Sequence, residues 1–258
     1  MMFDPQKEEF AVLQTYFGEG QTFRLLGPLV DCKLTMDDSI DKILGKAKPK
    51  MKAILRTASI YSVSTLVNQF KTHILPVIES QTSAIYHATS TRLTALDSLY
   101  HSFIHAIGID ARTATLDFNF ALLNTRRDIA LLGLLHKIEL GFAHSSLRSL
   151  FPRADSVERK NITRLCFNRH SRQLHDECDG THTEVMSRSI FGLVRIYNLL
   201  PESVASSKSV SRFQHLLTGA VKSQCQSNVL DWDRLFCPRR RFIATDYFHI
   251  PFFYKNTK

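Results

Sequence analysis

Met36-Asp37-Asp38 contains the one adjacent pair of aspartates in this sequence. Neighbouring carboxylates can hold divalent cations, and two such ions can bridge the attacking and leaving oxygens of an in-line phosphoryl displacement. The same residues also have a plainer use. Thr35 and Asp38 stand at the spacing of a capping box, with Asp in place of the usual Glu or Gln. Acids at a helix N-terminus are also favoured by the helix dipole. A helix must begin here, so Asp38 is read as a cap partner and no residue is assigned a catalytic role.

Four soft or imidazole donors follow at Cys166, His170, Cys178 and His182, spaced C-x3-H-x7-C-x3-H. Zinc takes such ligands, but this spacing matches no strict finger pattern. Solvated or hydrogen-bonded side chains in a polar loop are the simpler reading, and no metal ligand is assigned. His101 and His105 share a helix face at i, i+4 without acids or cysteines beside them, and read as surface residues. Nucleophile elbows, Walker loops and dinucleotide fingerprints are absent.

The third group is cationic. Lys42, Lys46, Lys48, Lys50, Lys52 and Arg56 surround an apolar stripe. A row of lysines neutralises phosphates without reading bases, because lysine acts as a point charge. Lys42, Lys46, Lys50 and Arg56 are the candidate contacts, with Arg126 and Arg127 as further candidates. An ordinary solvated helix face is the alternative. The whole chain of 258 residues has a net charge of +9 and a pI near 9.4, a balance suited to a polyanionic partner.

These groups must be positioned by a mainly α-helical chain, since glycine and proline, at 10 and 8 residues, are too scarce for the turns of an all-β fold. Residues 9–17 and 21–31 flank Gly18-Glu19-Gly20 and read as a β-hairpin. Ile40, Ile43, Leu44, Ala47, Met51, Ile54 and Leu55 recur at steps of three and four, the period of one helix. Pro49 should kink or restart it. Further helices are expected over about 62–79, bent or ended by Pro76, and about 91–107. Another starts at Thr125 and Asp128 and ends at Gly141. Residues 152–187 read as a polar linker. Residues 188–200 suit either strand or helix, and a last helix covers about 210–224. Leu96, Phe103, Ile129, Leu132 and Leu135 are expected to be buried together.

The five cysteines form no paired framework and fit a reducing, intracellular compartment, cytoplasmic or nuclear. Neither a signal peptide nor a membrane span is expected.

The order of these pieces resembles the region downstream of the catalytic palm in non-LTR (LINE-like) retrotransposon reverse transcriptases. FRLLGPLVDCKLTMDDSIDKILGKAKPK (23–50) is similar to the family's Y-L-G-V-x-I-D followed by a helix with a basic face. TLVNQFKTHILPVIESQTSAIYHA (65–88) is similar to L-x-x-x-Y-K-x-x-V-x-P-x-L-E-Y-x-x-x-x-W. TRLTALDSLYHSFIHAIG (91–108) and LLNTRRDIALLGLLHKIELG (122–141) resemble L-x-x-L-x-x-x-Q followed by L-x-x-R-R. SRSIFGLVRIYNLLPESVASSKSVSRFQHLL (187–217) resembles R-S-F, then W-N-x-L-P and a helix. The departures are Tyr86 and Tyr197 where the family has Trp, and Ser98 to His101 where it is usually basic.

The resemblance implies a β-hairpin remnant over 1–33, a thumb-like helical bundle over 34–151, a linker over 152–187 and a C-terminal helical element over 188–258. It implies a sequence-independent RNA or DNA template–primer partner. The family's activity is RNA-directed DNA synthesis with two magnesium ions held in the palm. Asp37-Asp38 aligns beyond that palm, and only 34 residues precede Thr35, so this chain is expected to hold nucleic acid without catalysing synthesis. The alternatives are a helical protein-interaction domain and a small zinc-binding module.

Overall fold

The computed structural model describes residues 22–25, 27–31, 33–154, 170–178 and 184–238. Within them the chain is mainly helical, with one short antiparallel hairpin toward the N-terminus. No helix among the described residues is long and apolar enough to cross a membrane. The chain divides into two compact units, Met1–Ile107 and Gly108–Lys258. The span 34–151, read from sequence as one bundle, covers parts of both.

In the first unit, β1 (Thr22–Arg24) pairs with β2 (Leu29–Asp31), placing Phe23 opposite Val30. The hairpin therefore lies inside the run expected to be its second strand. Gly27 is the reason: its φ of 129° is a backbone conformation that essentially only glycine adopts, and it turns the chain there. Residues 9–17 lie outside the described residues.

Helix α1 (Asp37–Leu55) buries Ile40, Ile43, Leu44, Ala47 and Ile54, the stripe expected from the period. Pro49 neither breaks nor restarts it. The carbonyl that loses its partner is that of Gly45, and both residues are exposed, so water can satisfy it. The capping box does not form. Met36 is the N-cap residue, in the left-handed region, and no side chain caps the helix.

Asp31 organises this entrance instead. Its Oδ1 accepts from the amides of Lys33 and Thr35, both at 3.0 Å. Its Oδ2 accepts from the Thr35 hydroxyl at 3.1 Å and the Met36 amide at 2.8 Å. Partial burial pushes the Asp31 carboxyl up, but the bonds from Thr35 and Met36 outweigh it and hold it below its ordinary value. The Asp31 backbone carbonyl takes the Leu34 amide and its carboxylate the Met36 amide, holding those residues at φ of 54° and 63°, where bulky side chains are strained. Asp31→Ala is therefore expected to cost about 1.5–3 kcal/mol, the range for hydrogen bonds to a charged group. Exposed Asp38→Ala should change stability by less than about 0.5 kcal/mol. Urea midpoints of the two variants check this, and equal losses would refute the assignment.

Helix α2 (Val63–His73) starts at Ser62, whose hydroxyl accepts from the Thr65 amide at 3.3 Å. The chain re-forms as α3 (Leu75–Glu79), with Pro76 in its first turn, where its missing N–H costs no bond. After α4 (Thr82–Ile85) comes α5 (Ser90–Ala106), capped by Thr89. Helix α1 packs against α2, α3 and α5. Phe70 and Phe103 meet at 4.4 Å in the core.

In the second unit, α6 (Ala111–Leu116) precedes α7 (Leu123–Glu139). Thr125 and Asp128 do not cap α7. They are buried within it, and the Thr125 hydroxyl donates to the Asp233 carbonyl at 2.8 Å. The expected stop is present: Gly141 sits at φ 81°, with Phe142 N–H on the Lys137 carbonyl and Gly141 N–H on that of Ile138. Those two bonds make a Schellman motif. The short α8 (Ser145–Ser149) and α9 (Glu184–Arg188) follow. Residues 188–200 resolve as helix, since α10 spans Ile190–Asn198. After α11 (Glu202–Ala205), α12 (Val210–Gln226) packs along α7. The Gln214 side chain lies over Gly133, where an added Cβ would come within 2.3 Å of its amide nitrogen and displace it.

The five residues expected to share one core are all buried, but they divide between the units. Leu96 and Phe103 belong to the first, and Ile129, Leu132 and Leu135 to the second.

Candidate nucleic-acid interface

From Lys42 to Ile78 the sequence contains no aspartate or glutamate. Six cationic residues fall on α1 or its C-cap within that stretch: Lys42, Lys46, Lys48, Lys50, Lys52 and Arg56. At about 100° per residue they form two i, i+4 rows, Lys42–Lys46–Lys50 and Lys48–Lys52–Arg56. The rows flank the side of α1 opposite its buried stripe. Lys42 is half-buried and the other five are exposed. Successive cations in a row are separated by roughly 6 Å along the axis, and the face extends over roughly 21 Å.

The acids of α1 do not neutralise this face. Arg92, reaching from α5, pairs with two of them, Asp37 and Asp41, at the other end. Its Nε lies 2.8 Å from Asp37 Oδ1, and its Nη2 lies 2.7 Å from Asp41 Oδ1 while donating to the Asp37 carbonyl at 3.0 Å. Hydrogen bonding to Asp41 raises the Arg92 pKa further. Charge on α1 is therefore divided, with Asp37 and Asp41 compensated by Arg92 near its start and cations beyond. The Lys42 ammonium is held below its ordinary value by partial desolvation and by the neighbouring charges of Arg24 and Lys46. Arg24, on β1, thus extends the positive surface to the hairpin.

Three candidate contacts sit differently from expectation. Lys50 Nζ donates to the His73 carbonyl at 3.3 Å, at the C-terminal end of α2, where a cation complements the helix dipole. Arg126 and Arg127 belong to the second unit, and Arg127 is only 5% exposed. Its guanidinium is part of the interior of that unit and is not offered to a phosphate. Lys48, Lys52 and Arg24 are better placed. The first two belong to the cationic group already visible in the sequence, and the absence of acids along the stretch marks them as equal candidates. Arg24 joins only through the hairpin turn at Gly27.

Among the described residues the adjacent aspartates do not form a metal site. Asp37 is engaged by Arg92, Asp38 lies 100° further around the helix, and no group of three His, Cys, Asp or Glu side chains gathers among the described residues. No catalytic step is derived for this chain. Of the candidate zinc ligands, Cys166 and His182 lie outside the described residues, while His170 uses both ring nitrogens. Its Nε2 contacts the Tyr197 carbonyl at 3.0 Å, and its Nδ1 accepts from the Arg172 amide at 3.2 Å. Residues 170–178, within the span read as linker, are docked by Asn198. That side chain accepts from the Leu174 amide at 2.8 Å and donates to its carbonyl at 2.7 Å.

His170 leads to a buried polar cluster in the second unit. His136 Nε2 lies 2.9 Å from the Ser207 carbonyl, and its Nδ1 lies 3.0 Å from the Tyr197 hydroxyl. A carbonyl can only accept, so Nε2 carries the proton and Nδ1 accepts from tyrosine. The His136 ring stacks on Phe213 at 4.1 Å. Burial lowers the pKa of both histidines and raises that of Tyr197. All three rings are closed off by the fold, and the cluster reads as the polar part of a core.

No protein-family model, no curated protein and no solved structure matches this chain.

Proposed function

We propose that this chain is a nucleic-acid-holding element, and that its parentage is the thumb and C-terminal region of a non-LTR retrotransposon RNA-directed DNA polymerase. The observation that carries the binding proposal is the acid-free stretch from Lys42 to Ile78, which places two rows of cations on the solvent side of α1. Lysines spaced along one helix track phosphates and carry no planar fork for base edges, so binding is sequence-independent. The parentage rests on the order of the motifs described above. Tyr197-Asn198 stands at the family's W-N position and packs the C-terminal helices, the tyrosine against His136 and the asparagine against Leu174.

The test reverses two exposed charges, one from each row. Lys46→Glu with Lys52→Glu should weaken binding to duplexes of unrelated sequence by the same factor. It should also flatten the logarithmic salt dependence by about two units, roughly one per lost phosphate contact. Mobility shifts over a salt series read both quantities. A wild-type chain that binds no duplex at low salt would refute the proposal, as would a double variant with unchanged affinity and slope.

A further inference from the structure

The basic face of α1 ends on a turn that holds two apolar side chains in water. Ile60 is 76% exposed and Tyr61 47% exposed. Neither position is loosely held. Thr57 N–H bonds the Ile54 carbonyl at 3.0 Å, and the amides of Ile60 and Tyr61 both bond the Thr57 carbonyl, at 3.0 and 3.2 Å. The Thr57 hydroxyl adds a bond to Ile54 at 2.7 Å. Ser62 then caps α2. The backbone from Arg56 to Ser62 is thus fixed from both sides, and it presents an aromatic ring one residue before a helix cap.

The same bonds place Tyr61 beside the cationic rows. Its amide is tied to Thr57, the residue after Arg56, and the Arg56 amide is tied to the Lys52 carbonyl. Tyr61 therefore lies one backbone bond beyond Thr57, the residue that follows Arg56 at the end of the Lys48–Lys52–Arg56 row.

We propose that Tyr61 is a stacking platform for an unpaired base of the same nucleic acid strand whose phosphates lie along α1. The chemistry fits a polyanion with flat apolar faces. Every base presents a π-face, so stacking on tyrosine tolerates any sequence, in keeping with backbone contacts that read none. Ile60, next to it, widens the apolar seat. A lipid surface would also attract the cations, but two apolar side chains offer little area to anchor in a bilayer. The surface would thus favour a duplex that ends in a single-stranded overhang over a blunt one. This rests on the nucleic-acid reading above.

The experiment compares wild type, Tyr61→Ala, Tyr61→Phe and the Lys46→Glu, Lys52→Glu double variant. The probes are a blunt duplex, the same duplex with a short overhang, and vesicles of anionic phospholipid. Wild type should prefer the overhang. Tyr61→Ala should lose roughly tenfold in affinity for the overhang probe, with the salt slope unchanged, while Tyr61→Phe keeps it. Thermal melts confirm that these exposed substitutions leave the fold intact. If wild type binds duplex, the double variant flattens the slope and Tyr61→Ala leaves overhang affinity unchanged, the stacking proposal fails alone. If wild type binds neither nucleic acid probe, both proposals fail. Binding to vesicles that depends on Tyr61, without an overhang preference, overturns the base platform in favour of a membrane surface.

Discussion

Replacing Phe103 with alanine should cost the first unit about 3–5 kcal/mol, the range for truncating a buried phenylalanine. Phe103 is 0% exposed and lies 4.4 Å from Phe70, which is equally buried. The two rings join α5 to α2, and α1 lies against both helices. Truncation removes the apolar contact and leaves a cavity walled by helices whose backbones are hydrogen bonded, so the site cannot collapse to fill it. Losses of this size are a large part of the total stability of a small unit. Urea unfolding followed by far-UV circular dichroism should show a midpoint lower by about 1 M or more, given typical slopes of about 1–3 kcal/mol per molar. A midpoint within about 0.2 M of wild type would mean that Phe103 is not in a packed core. The consequence reaches the interface, because α1 carries its cations in register only while its stripe is seated on α2, α3 and α5.

That stripe shows what the sequence could reveal. Ile40, Ile43, Leu44 and Ala47 face inward because a helix repeats every 3.6 residues, and the period is visible without a structure. The cations between them were equally legible. The caps were not. Thr35 and Asp38 have the right spacing, but the Thr35 amide and hydroxyl are already bound by Asp31, and a carboxylate on the preceding strand is invisible to a motif that looks only forward. Thr125 and Asp128 failed for a different reason. Leu122 and Leu123 are buried, so tertiary packing started α7 earlier than local chemistry required. Arg127 shows the same override: its neighbour Arg126 is half-buried and 127 falls on the inward side of α7. The histidine cluster could not be read at all. His136 and Tyr197 are 61 positions apart, and His170 lies 27 before Tyr197. Nothing local links them, and only the packing of α7, α10 and α12 brings them together.

Below about pH 6.5 the second unit should lose stability, because His136 and His170 are buried as neutral rings. His136 is 0% exposed. Desolvation is the main cause of its lowered pKa, offset in part by the Ser207 carbonyl and reinforced by the Arg172 charge. Desolvation dominates at His170 as well, opposed by the Tyr197 carbonyl. Protonation is disfavoured by geometry too. A second proton on His170 would set Nδ1–H against the Arg172 amide that now donates to it. On His136 it would turn the Tyr197 hydroxyl proton away from its acceptor. A histidine whose folded pKa is depressed contributes stability above the unfolded value, 6.5. That stability is lost as pH falls through the unfolded value toward the folded one. Each ring can contribute at most about 1.4 kcal/mol per pH unit in that window. The lowered pKa of Asp31 puts its own loss at lower pH and leaves the window clear. Trp232 is the sole tryptophan. It sits in the 3-10 turn Trp232–Arg234, which is tied to α7 by Asn124 and Thr125 bonding the Asp233 carbonyl. Its fluorescence therefore reports on the second unit. Urea melts so monitored should show a stability that is flat above pH 7 and falls steadily from pH 6.5 to 5. In His136→Gln the amide can still donate to Ser207 and its oxygen can still accept from Tyr197, but the side chain cannot be charged. The slope should fall to about half, whatever the variant's stability at neutral pH. A wild-type stability unchanged between pH 7.5 and 5, or a variant slope equal to wild type, would show that these rings are not held neutral by burial.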